Sequence, residues 1–118
     1  MKYGIVGNRS GWNSEFVFKT LNKYNISSKD IIISGGALGI DTYAQWYAKQ
    51  VGAQMIIVYP NPKEPSPQRY FIRNKDIAEM CDILIAFDKG SSSGSGTLNT
   101  INHAKRMNKE VTVIKEMK

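Results

Sequence analysis

At 118 residues, with 42% hydrophobic side chains, the chain is long enough to bury the core of one domain and too short for a second. No apolar run approaches the roughly 18 to 20 residues of a membrane span, and the first apolar stretch is too short for a secretion signal, so a cytoplasmic protein without membrane partners is expected. One cysteine and one histidine exclude an internal disulfide and a zinc cluster, and the net charge of +6 favours a polyanionic partner.

The first strand is expected over Tyr3 to Val6, followed by the turn Gly7-Asn8-Arg9-Ser10-Gly11 and a helix from about Asn13 to Tyr24. Asn13 suits the N-cap, with Trp12 before it placed to staple onto Val17. Asp30 to Ile33 forms the second strand, and Ser34-Gly35-Gly36-Ala37-Leu38-Gly39-Ile40-Asp41 the first glycine loop. Beyond it Ile40, Tyr43, Ala44, Tyr47, Ala48 and Val51 recur at the spacing of a buried helix face, with Gly52 as the stop. Trp46 and Tyr47 fall on opposite sides of that helix, which leaves an aromatic for a homodimer surface.

Met55 to Tyr59 gives a third strand, and the proline-rich stretch from Pro60 to Pro67 cannot continue it because proline supplies no ladder donor. A helix over Gln68 to Met80 leads to the strand Ile83 to Phe87, with Cys81 between them as a buried structural thiol. The loop from Asp88 to Ser95 carries Ser93-Gly94-Ser95-Gly96-Thr97, the second glycine turn, and a last helix from Gly96 to about Met107 precedes the strand Glu110 to Ile114. His103 belongs on that helix's surface or rim.

Continuous Val/Ile strands separated by helices require a parallel sheet covered on both faces, an α/β Rossmann-like domain of three layers spanning residues 1–118. Its five strands are expected in the order 3-2-1-4-5, so the loops at Gly7, Gly35 and Gly94 meet at the switch point. Glycine lets the main chain approach a ligand, and the helix that follows offers unpaired N–H groups and a positive dipole end, so the loops converge on an anion. Most basic residues are scattered over solvated faces, whereas Arg9 and Arg73 fall in or beside turns that face the pocket. The lysine of a P-loop is missing, and Asn99 stands where a dinucleotide fingerprint needs its third glycine. No Gly-x-Ser-x-Gly elbow follows a strand in the right place, and no cofactor or metal is implied.

The ordered set Ser34-Gly35-Gly36-Ala37-x-Gly39-x-Asp41, Arg73-Asn74-Lys75-Asp76-Ile77-Ala78, Asp82-Ile83-Leu84-Ile85-Ala86-Phe87 and Ser93-Gly94-Ser95-Gly96-Thr97 resembles the SLOG superfamily. Its branches include the DprA/Smf DNA-processing proteins and the LOG nucleotide phosphoribohydrolases, and the resemblance is strongest to short DprA-like members. It implies that Gly35, Gly36, Gly39, Gly94, Gly96 and Thr97 contact a phosphate of a nucleotide or of single-stranded DNA, with Arg73 as the charged clamp and Asn74 orienting it. Gly7, Asn8, Arg9, Ser34, Asp41, Ser93 and Ser95 complete the expected ligand-binding set, with a ribose hydroxyl or a loop amide as the partner of Asp41.

Two positions depart from the superfamily pattern. Leu38 stands where the DprA-like loop carries an arginine, and Thr100 where the phosphoribohydrolases carry a glutamate. Without that carboxylate, N-glycosidic cleavage loses its evident acid, for which Glu79, Asp41 or Asp88 would have to substitute. The expected function is therefore a module that binds or senses a nucleotide or nucleic-acid phosphate, with phosphoribohydrolase activity as the alternative.

Overall fold

The runs of branched aliphatic residues pair as strands, and the stretches of helical periodicity cross between them. A computed structural model describes residues 1–90 and 96–117. In chain order it contains β1 (Lys2–Gly7), α1 (Ser14–Asn22), β2 (Ile31–Ser34), α2 (Ile40–Val51), β3 (Gln54–Ile57), α3 (Gln68–Met80), β4 (Ile83–Phe87), α4 (Gly96–Arg106) and β5 (Glu110–Ile114). All strand pairs are parallel, and the sheet order is β3-β2-β1-β4-β5, as expected from the sequence.

Two apolar layers hold the helices to the sheet. On one face Val17 and Leu21 of α1 and Ile40, Ala44 and Tyr47 of α2 pack with Ile5, Ile32, Ile85 and Phe87. On the other, Ile77 and Ala78 of α3 and Ile101 and Ala104 of α4 pack with Val6, Ile33, Leu84 and Ala86. Consecutive residues of one strand thus serve opposite layers, which is why the strands are apolar throughout rather than alternating. Ile5, Ile32, Leu84 and Ile85 are fully buried, each stabilising the fold by about 1.5–3 kcal/mol relative to exposure. Cys81 is buried with them, and burial pushes its thiol pKa up, away from the reactive thiolate.

The helix ends follow from local chemistry. Asn13 Oδ1 accepts the Phe16 N–H at 2.8 Å and starts α1, while Gly52 stops α2 in the left-handed region at φ +76°. Helix α1 ends at Asn22, two residues before Tyr24, because the chain turns through Asn25 at φ +55°. Tyr24 then meets Tyr3 edge-on, ring centroids 6.0 Å apart. Strand β3 stops at Ile57 because it pairs only with β2, whose last residue, Ser34, lies opposite Ile57. Tyr59, expected in the strand, is left exposed beyond the ladder. Among the described residues no helix is long and apolar enough to cross a membrane.

Candidate functional site

The loops at the carboxyl ends of β1 and β2 and the first turns of α4 surround one cleft of about 450 Å³, whose far wall is α3. Of the residues expected from the sequence, Gly7, Asn8, Arg9, Gly35, Asp41, Arg73, Asn74, Gly96 and Thr97 line it. Three others support the β2–α2 loop instead: Ser34 is fully buried and bonded to Asp41, Gly36 lies against the Tyr59 ring, and Gly39 lies against the Arg9 backbone. Ser93, Gly94 and Ser95 fall outside the described residues.

The β2–α2 loop is shaped by what glycine omits. Gly39 has φ +80°, and a Cβ there would sit 2.4 Å from the Arg9 carbonyl oxygen, so a side chain would force the β1–α1 and β2–α2 backbones apart. At Gly35 a Cβ would lie 2.6 Å from Arg73 Nη1 and 2.9 Å from Asp41 Oδ2, so the bare backbone lets the guanidinium and the carboxyl share this corner. Asp41 is 8% exposed. Its Oδ2 accepts the Ala37 N–H at 3.1 Å, one of the partners expected from the sequence, and its Oδ1 lies 2.8 Å from Ser34 Oγ. Burial pushes the Asp41 carboxyl above the usual carboxylate range, against the opposing pull of Ser34, the Ala37 amide, Arg73 and Arg9.

Arg73 and Asn74 act as a pair. Arg73 Nε donates to Asn74 Oδ1 at 2.9 Å, and Asn74 Nδ2 donates to the Gly96 carbonyl at 3.3 Å and to Asn99 Oδ1 at 3.2 Å. The amide thereby ties α3 to the start of α4 and fixes the plane of the guanidinium, whose Nη1 points toward Gly35 and lies 3.5 Å from the Val58 carbonyl. Asn74 is buried and Arg73 half-buried. Desolvation lowers the Arg73 pKa, Asp41 opposes the shift, and a guanidinium stays charged in either case. The other side of the cleft is the first turn of α4, where a helix has backbone N–H groups without intrahelical acceptors.

Asn8 has a stitching geometry that its sequence context did not announce. Its Oδ1 accepts from Lys89 N–H at 3.0 Å and from Trp12 Nε1 at 3.3 Å, and its Nδ2 donates to Asp88 Oδ1 at 3.4 Å. These bonds join the β1–α1 loop to the loop after β4, and Lys89 Nζ lies 5.0 Å from the centre of the Trp12 ring.

Several wall residues were missed as site residues. Pro67, Tyr70, Phe71 and Ile77 line the cleft from α3 and the residue before it, and Thr100 lines it from α4. The helical spacing of Phe71, Asn74 and Ile77 was the available signal, since residues three apart share a face. Thr100 Oγ1 donates to the Gly96 carbonyl at 2.9 Å, so the position of the superfamily's glutamate holds a hydroxyl bonded to its own helix. Of the three carboxylates considered as substitute acids, Asp41 lines the cleft, Asp88 is buried in the Asn8 network, and Glu79 lies elsewhere, beside Val58, Asp76 and Met80. Among the described residues no group of three or more His, Cys, Asp or Glu side chains could hold a metal ion.

No protein-family model matches the sequence, and no curated protein matches it significantly. Solved structures do match. DNA processing protein A (DprA) from Streptococcus pneumoniae superimposes over 95% of this chain with a TM-score of 0.77 and 24% identity. The fold is DprA-like. The chain spans about half the length of that protein, 49%. DNA processing protein A from Helicobacter pylori, whose structure was described for its single-stranded DNA binding mode, matches over 96% of this chain and 64% of its own, with a TM-score of 0.69 and 21% identity. TM1055, a structural-genomics target, matches over 94% of this chain and 72% of its own, with a TM-score of 0.65 and 18% identity.

Proposed function

We propose that the cleft binds a phosphate group of single-stranded DNA or of a nucleotide, and that the protein acts as a binding or sensing module. The observation that carries this reading is the convergence on one cleft of the oriented Arg73 guanidinium, Arg9, the glycine loop at Gly35 and the first turn of α4. A guanidinium oriented through its Nε presents further N–H groups toward the cleft for an oxyanion, and a helix N-terminus adds donors that carry no competing counter-charge. Tyr70 and Phe71, 41% and 39% exposed beside these cations, supply faces for a base. The single-stranded DNA binding named for the Helicobacter pylori protein supports a strand as ligand.

Titration with fluorescent oligo(dT) at several salt concentrations tests the reading. Log affinity should fall linearly with log salt, by about 0.7 for each phosphate neutralised, and Arg73→Ala should reduce the slope by about 0.7. An unchanged slope in a folded variant would remove Arg73 from the contact.

The sequence resemblance to the LOG nucleotide phosphoribohydrolases supports a second reading, N-glycosidic cleavage of a nucleoside monophosphate, with Asp41 as the acid that lines the cleft. The bonded hydroxyl of Thr100 weighs against it. Prolonged incubation with nucleoside monophosphates should release no free base, and turnover lost in Asp41→Asn would establish the enzyme.

A further inference from the structure

Tyr59 is 67% exposed, more than any other aromatic side chain among the described residues. A single exposed aromatic is ordinary, but this one is held in place. Its ring lies against Gly36, where a Cβ would come 2.5 Å from Tyr59 Cε1 and 2.9 Å from Cδ1, so a side chain there would push the ring away. The preceding residue, Val58, is engaged through both backbone groups: its N–H donates to the Ser34 carbonyl at 2.8 Å, and its carbonyl oxygen lies 3.5 Å from Arg73 Nη1. Tyr59 therefore begins at the peptide bond whose carbonyl faces the clamp, and its ring rests on the glycine loop with the remainder open to solvent.

The cleft has aromatic side chains of its own, Tyr70 and Phe71 of α3, whereas Tyr59 does not line it. The rim between them is two glycines: the open side of Gly35 faces Arg73, and that of Gly36 faces Tyr59. Arg73 thus neighbours two aromatic surfaces, one inside the cleft and one over its rim. A mononucleotide has one base and can use one of them. A phosphate that joins two nucleosides can use both.

We propose that Tyr59 is the stacking platform for a second base, so that the site takes the internal phosphodiester of an oligonucleotide, with the phosphate on Arg73, one base on the α3 aromatics and the adjacent base on Tyr59. The proposal rests on the phosphate-binding reading above and adds the residue that favours a strand over a free nucleotide. A ring seated before the ligand arrives loses little rotamer freedom on binding, and a phenol stacks on any base, so the subsite adds affinity without sequence preference. A neutral side chain displaces no counterions from phosphate, so this contribution has no salt dependence, in contrast to that of Arg73.

The test compares dTMP with the dinucleoside monophosphate TpT by isothermal titration calorimetry, in the parent protein and in Tyr59→Ala. Loss of one stacked base should weaken TpT by about tenfold while its salt slope and the affinity for dTMP stay as in the parent. Tyr59→Phe should retain the parent affinity, and Gly36→Ala, which displaces the ring without removing it, should weaken TpT. TpT analogues that lack one base locate the contact: one of the two abasic isomers should bind the parent and Tyr59→Ala equally, because the base that met the ring is gone. In the parent, TpT should also shift the NMR resonances of the Tyr59 ring, a readout that needs no variant. Unchanged TpT affinity in a Tyr59→Ala protein that unfolds in urea like the parent would overturn the platform and leave the phosphate site standing. Equal losses for dTMP and TpT would overturn the two-base arrangement. Binding of neither probe by the parent would overturn the phosphate-binding reading and this proposal with it.

Discussion

Asp30 precedes β2 at the amino end of the sheet and Asp41 follows it at the carboxyl end, and the two sit in opposite surroundings. Asp30 Oδ2 accepts the Ser27 N–H at 2.9 Å and its Oδ1 lies 3.3 Å from the Met1 amino group, so backbone donation and the terminal charge hold its carboxyl below the usual range. Its neighbour Asp82 likewise accepts the Lys2 N–H at 2.8 Å. Asp41 is buried beside two arginines, and burial dominates. One end of the sheet spends its carboxylates closing backbone ends, while the other gathers the two cations Arg9 and Arg73 around a single carboxyl whose pKa desolvation raises. The carboxyl end is thus left with an excess of positive charge, the condition for holding an anion.

The comparison can be broken most forcefully at the glycines of α2. Gly52, at the amino end, has φ +76°, and a Cβ there would find Ser28 Cβ at 3.7 Å, ordinary contact. Gly52→Ala should therefore cost about 1 kcal/mol, from the left-handed backbone alone. Gly39 combines φ +80° with a backbone carbonyl 2.4 Å from the Cβ position. Gly39→Ala should cost about 3 kcal/mol or more and weaken anion binding, as measured by urea unfolding and by oligo(dT) titration. Equal losses at the two sites would show that the close approach of the two loops is not needed.

A smaller effect sharpens it. The folded pKa of Asp41 is raised, so its contribution to stability is complete below the unfolded value and is lost as pH rises through the folded value. The folded pKa of Asp30 is lowered, so its contribution is present above the unfolded value and is lost as pH falls through the folded one. Asp41→Asn should match the parent in acid and exceed it in stability at neutral pH. Asp30→Asn should match it in acid and fall below it at neutral pH. Chemical unfolding at the two pH values checks this, and differences of the same sign would dissolve the contrast.

Much of this was legible in the chain. Periodicity sets α2 with its observed bounds because that helix presents a continuous apolar stripe to a sheet layer, and it places Tyr47 inside and Trp46 outside, whereas α3, also found over its expected bounds, buries only Asn74, Ile77 and Ala78. The end of β3 was not legible, since it depends on where β2 runs out rather than on the residues of β3 itself. At the site, the resemblance pointed to the pairing of Arg73 with Asn74, and the geometry agrees. Three partnerships were hidden because they join residues distant in sequence: Ser34 with the Ile5 carbonyl, Asn8 with Lys89 and Asp88, and Asn74 with Asn99. No local pattern encodes such pairs. They follow from the strand order, which brings the β1, β2 and β4 loops together.

The most direct test of the central claim is a crystal structure of the protein soaked with AMP. The account predicts a phosphate within hydrogen-bonding distance of Arg73 and of the Gly96 and Thr97 amides, with Asn74 unmoved behind the guanidinium. Density for the phosphate only elsewhere on the surface, with this cleft left to solvent, would contradict it.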